Sequence, residues 1–93
     1  MNVMEVSNNQ PQNSMDTLKE KLQQQFPEIV HIVAYDDMED FDIEIREGTV
    51  GPPFVKLVNA YLKKFILDCG DPETSYNFSI QRGTELIDIL RYN

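Results

Sequence analysis

The apolar spacing of this chain predicts a single small α+β domain. Its expected order is α-β-β-α-β-α, with a three-stranded, mainly antiparallel sheet of strand order 2-1-3 packed by helices. Three observations carry this. Phe54, Leu57, Val58, Tyr61, Leu62 and Phe65 recur at the intervals of one helical face. Ile29 to Tyr35 is a β-branched run, apolar on both alternating faces. Phe41, Ile43 and Ile45, and later Tyr76, Phe78 and Ile80, each alternate with polar residues, as in strands with one wet face.

With 93 residues, 41% apolar and 26% charged, the composition is that of one globular domain with a thin core. Residues 1–13 are expected to be a flexible polar N-terminal tail, because Ser7 to Asn13 has almost nothing to bury; Val3, Met4 and Val6 are the one place for an edge strand there. Residues 14–93 are expected to form the α+β domain.

Each element follows in turn. Ser14 suits a helix N-cap, and Met15, Leu18, Leu22 and Phe26 line one helical face until Pro27 stops it. Strand one is Ile29 to Tyr35, and strand two carries Phe41, Ile43 and Ile45; the two read as a hairpin. A strand apolar on both sides is expected inside its sheet, which puts strand one in the middle and makes every neighbouring pair antiparallel. A long helix from Pro53 to Asp68 crosses from strand two to strand three, with Lys56, Asn59, Lys63 and Lys64 on its outer side. Gly70 suits a left-handed C-cap, and Asp71-Pro72 prevents continuation. Tyr76 to Gln81 is strand three. After Arg82-Gly83, Thr84 can cap a last helix from Glu85 to Arg91 that buries Leu86, Ile87, Ile89 and Leu90; a fourth strand is the alternative.

Charge is the most distinctive property. Sixteen acids against eight bases give a net charge of −8. Seven of the acids, Asp36, Asp37, Glu39, Asp40, Asp42, Glu44 and Glu47, fall within twelve positions, and no Lys or Arg lies between Lys21 and Arg46. Such a field recruits cationic partners and repels nucleic acid and anionic membrane.

Catalytic and metal-binding patterns are absent from the sequence. An EF-hand loop started at Asp40 has Ile45 where Gly is required and Gly51 where Glu is required. Carboxylates on one strand stand in a row about 6.6 Å apart rather than around one ion. A nuclease reading of Asp42-Ile43-Glu44-Ile45-Arg46 lacks the basic cleft its substrate needs. His31 is the only histidine and has no neighbouring metal ligand in the sequence; it reads as a sheet residue. Cys69 is the only cysteine and follows a helix, where the dipole disfavours a thiolate. Gly48, Gly51, Gly70 and Gly83 are too scattered for a phosphate loop.

The sequence therefore predicts a non-enzymatic, cytoplasmic interaction module: an adaptor, inhibitor or regulator. Its acidic hairpin, with Asp36, Asp37, Glu39, Asp40, Asp42, Glu44 and Glu47, would dock on a basic surface of a partner protein. Nucleic-acid mimicry is the sharper form of that reading. No catalytic residue, metal site, cofactor, membrane span, signal peptide or direct nucleic-acid contact is expected. The alternative is a chaperone-like or structural homodimer using an apolar sheet or helix face, and a metal-dependent enzyme is the remaining reading; separately, Lys56, Lys63 and Lys64 could pair with the acidic hairpin of a second copy in a head-to-tail or twofold dimer.

Overall fold

The computed structural model describes residues 14–35 and 38–93. The expected tail, the edge strand at residues 2–6, and Asp36 and Asp37 lie outside the described residues. A 3-10 turn, Met15–Thr17, leads into α1 (Leu18–Gln25); β1 (Ile29–Tyr35), β2 (Asp40–Ile45), α2 (Gly51–Cys69), β3 (Tyr76–Arg82) and β4 (Glu85–Tyr92) follow. The domain is thus α+β, with two helices on one mixed four-stranded sheet of order β1-β2-β3-β4.

Three features of the expected sheet are corrected. Among the described residues there are four strands, not three; the order is sequential, not 2-1-3; and β2 pairs with β3 in parallel. The hairpin makes β1 antiparallel to β2, with Ile32 opposite Ile43 and Ala34 opposite Phe41. The α2 crossover returns the chain in the β2 direction. That direction suited either side of the hairpin, and β3 takes the β2 side, setting Phe41 beside Phe78 and Ile43 beside Ile80. The second apolar face of β1 consequently lies on an edge strand, where Val30 and Tyr35 are about half exposed. A bulge at Val30, where the β1–β2 register shifts, separates buried Ile29 from buried Ile32.

The last segment is β4, antiparallel to β3, not a helix. Gly83 and Thr84 form its two-residue turn, with Gly83 at φ 64° and Thr84 at negative φ, the arrangement of a type II′ hairpin. A register shift near Ile80 and Gln81 makes β4 bulge at Ile87–Asp88. The bulge breaks the two-residue alternation, so Leu86, Ile87, Ile89 and Leu90 imitate a helical stripe.

Both helices pack on one face of the sheet. Leu18, Leu22 and Phe26 from the first and Phe54, Val58 and Leu62 from the second meet Ile29, Ile32, Phe41, Ile43, Ile45, Tyr76, Phe78 and Ile80 in one core. Phe26 joins the two helices, edge-on to Phe54 at 5.7 Å and to Tyr61 at 5.6 Å. Phe41 stacks on Phe78 at 4.5 Å. Leu57, expected in the core, is 61% exposed. The buried line on α2 is Phe54, Val58 and Leu62, and Leu57 falls beyond its shoulder.

Gly70 corrects the expected C-cap. Its φ is −82°, outside the left-handed region, so its role is space: an added Cβ would lie 2.8 Å from the Ile66 carbonyl oxygen and 3.2 Å from the Tyr76 ring. Tyr76 closes the same loop by accepting the Asp71 N–H at 2.9 Å.

Tyr92 ties β4 to α2 by donating its hydroxyl hydrogen to Asn59 Oδ1 at 2.7 Å. Burial, with Asp88 nearby, pushes its phenol up to about 12. The sign follows directly. A folded value above the unfolded value of about 10 means that the unfolded chain loses this proton first. Stability from this group is therefore complete below about pH 10 and drains away as pH rises toward 12. Because Tyr92 is only partly buried, we expect a loss of no more than about 1–2 kcal/mol across that window. Urea melts from about pH 9 to about pH 11 should show the decline for the wild type and a shallower one for Tyr92→Phe.

Candidate partner-binding surface

Among the described residues no helix covers the face of the sheet opposite α1 and α2, and period-two alternation dictates what stands on it. β1 contributes His31, Val33 and Tyr35; β2 contributes Asp40, Asp42 and Glu44. β3 contributes Asn77, Ser79 and Gln81, and β4 contributes Leu86, Ile89 and Arg91. None of these twelve is fully buried.

Three predicted site residues, Asp40, Asp42 and Glu44, stand in one line on this face. The line spans about 13 Å at the strand rise. It runs along an interior strand, with β1 on one side and the amide-bearing β3 on the other. Asp40 accepts a hydrogen bond from Asn77 Nδ2 at 2.9 Å. The Tyr35 phenol is pushed up chiefly by its interaction with the Asp42 carboxylate, with desolvation and the Asp42 charge adding to it. Glu44 is exposed, with His31 opposite it on β1.

The other predicted residues are not brought into this line. Glu39 is exposed in the turn before β2, where its carbonyl accepts the Asn77 N–H at 2.9 Å. Glu47 lies past the opposite end of β2, beside Glu28 and Arg46 in an open groove of about 470 Å³ that continues to Pro53 and Leu57. Arg46, the nearest cation in sequence to the acidic run, is turned away and donates to the Pro27 carbonyl at 3.0 Å.

Among the described residues the one ion pair is Arg82–Glu85, at 3.0 Å. Arg82 also donates to the Thr49 carbonyl, which ties β3 to the start of α2. Among the described residues, Asp40, Asp42 and Glu44 are in no ion pair, and the donor bonded to Asp40, Asn77, is neutral, which leaves the row's charge in place.

Sequence reasoning missed Tyr35 and Asn77 as the row's neutral neighbours. Hairpin register alone pairs Tyr35 with Asp40 and sets it diagonal to Asp42, so Tyr35 was recoverable. Asn77 was not, because its position depends on β3 lying beside β2.

Among the described residues, no three His, Cys, Asp or Glu side chains are grouped to hold a metal ion. His31 is exposed on the β1 edge. Cys69 is half-buried, and burial followed by the charge of Asp68 raises its thiol, against an opposing effect of Lys21. No described helix is long and apolar enough to cross a membrane. Comparison with protein families, curated proteins and solved structures finds no match to this chain.

Proposed function

We propose that this protein is a non-catalytic interaction module, an adaptor, inhibitor or regulator in a reducing cytoplasmic setting. It docks the helix-free face of its sheet on a basic surface of a partner protein. The single observation supporting the reading is the line of Asp40, Asp42 and Glu44 on the face that no described helix covers, with Asp40 bonded to Asn77 and none of the three paired with Lys or Arg among the described residues. Hydrogen bonds from neutral donors orient carboxylates without cancelling their field, so a cationic partner still feels it. A field of this kind governs association rate and selectivity more than raw affinity. A row of evenly spaced anions on a flat face also suits occupation of a nucleic-acid-binding site on the partner.

The test is capture from native lysate by the wild type and by Asp40→Asn/Asp42→Asn/Glu44→Gln. The wild type should hold partners at about 50 mM salt and lose most of them at about 500 mM, where the Debye length falls to a few ångströms. The neutralised variant should lose them at both. A variant that keeps every partner contradicts the reading. Release of the captured partner by added duplex DNA separates mimicry from a simple docking surface.

A further inference from the structure

The outer face of α2 carries chemistry that the core does not explain. All five lysines of the chain sit on the helices, three of them on α2, whereas the helices carry only three acids, Asp16, Glu20 and Asp68. At 3.6 residues per turn, Lys56, Ala60, Lys63 and Leu67 fall within an arc of about 60°, with Lys64 and Leu57 on one shoulder. All six are exposed, Leu57 at 61% and Leu67 at 84%. A single exposed leucine needs no explanation, but two leucines and three lysines on one solvent-facing arc make a basic amphipathic surface.

The helix-free sheet face is its complement. The acidic row lies on β2, exposed Leu86 and Ile89 lie on β4, and the small polar residues of β3 lie between. Two strand spacings separate β2 from β4 by about 10 Å, the width of one helix. A helix lying along β3 therefore reaches both rows at once. Lys56 and Lys63 are about 10 Å apart along their axis, within the roughly 13 Å of the acidic row.

We infer that the occupant of this face is α2 of a second copy, docked head to tail. Lys56 and Lys63 of one molecule lie over Asp40, Asp42 and Glu44 of the next, Leu67 lies between, and Leu57, on the far shoulder of the arc, lies toward Leu86 and Ile89. The inference rests on the reading of this face as a docking surface for cations. The contact joins two different surfaces, so copies add in a row or close into a ring rather than stopping at a twofold dimer. A basic partner of the proposed kind competes with it for the same face.

Sedimentation of the full chain tests this. The weight-average mass of the wild type should rise from the 10.8 kDa monomer in dilute solution to at least double at about 1 mM. Lys56→Glu/Lys63→Glu takes the net charge from −8 to −12, and Asp42→Lys/Glu44→Lys takes it from −8 to −4, each swap changing two units. Head-to-tail docking predicts that each variant alone stays monomeric and that their equimolar mixture associates. General charge repulsion predicts instead that the −4 variant associates most, and that result overturns the inference. Leu57→Ser/Leu67→Ser touches no core position and keeps every charge; it should weaken association, and unchanged association also overturns the inference. A wild type that stays monomeric overturns self-docking while leaving partner capture by the acidic row intact.

Discussion

Replacing Phe78 with Ala should lower the unfolding free energy by about 3–5 kcal/mol, because a fully buried aromatic leaves a cavity the sheet cannot close. Phe78 is 0% exposed, lies 4.5 Å from the Phe41 ring in a stacked pair, and meets Tyr92 edge-on at 5.8 Å. It is where the parallel β2–β3 pair joins the β3–β4 hairpin, with Phe41 on one side and Leu90 on the other. A domain of this size holds together by about 5–10 kcal/mol, so the loss consumes much of the margin. Urea melts followed by circular dichroism should show a large fall in midpoint for Phe78→Ala and a smaller one for Phe78→Leu. A loss under about 1 kcal/mol for the alanine variant would place Phe78 outside the core.

The second large effect separates two leucines of one apparent stripe. Leu62→Ala should cost about 2–5 kcal/mol, and Leu57→Ala should stay within about 0.5 kcal/mol of the wild type. Leu62 is 0% exposed beneath α2, whereas Leu57 is 61% exposed at its shoulder. Equal losses at both positions would mean that α2 is rotated about its axis relative to this fold.

These leucines also mark how far the sequence could be read. The α2 stripe was legible as a helix because six apolar residues keep one period over three turns. Which of the six touch the sheet was not, since a stripe that broad fits several rotations. β1, β2 and β3 were legible as strands from alternation. Their order was not: a crossover of known direction can close on either side of a hairpin, and the doubly apolar run from Ile29 to Tyr35 suggested an interior place that Phe41 and Ile43 occupy instead. β4 was misread because its bulge shifts the phase of the apolar residues, although the Gly83-Thr84 turn carried the hairpin signal.

Of the candidate surface, the alignment of Asp40, Asp42 and Glu44 followed from period two alone. Glu39 and Glu47 were grouped with them by nearness in sequence, but turns at either end of β2 carry them off the line. The polar and apolar rows on β3 and β4 depend on strand order and could not be read in advance. What gives the acidic row its character is therefore partly tertiary: a neutral donor, Asn77, on the β3 side and an apolar row two strands away.

The most direct measurement is a nuclear magnetic resonance titration of the amide groups with a short oligolysine peptide. Shifts should concentrate at Asp40 to Glu44 and across Asn77 to Gln81, and should vanish in Asp40→Asn/Asp42→Asn/Glu44→Gln while the fold is kept. Shifts centred instead on the groove beside Glu28 and Glu47, or unchanged in the neutralised variant, would contradict docking through the helix-free face.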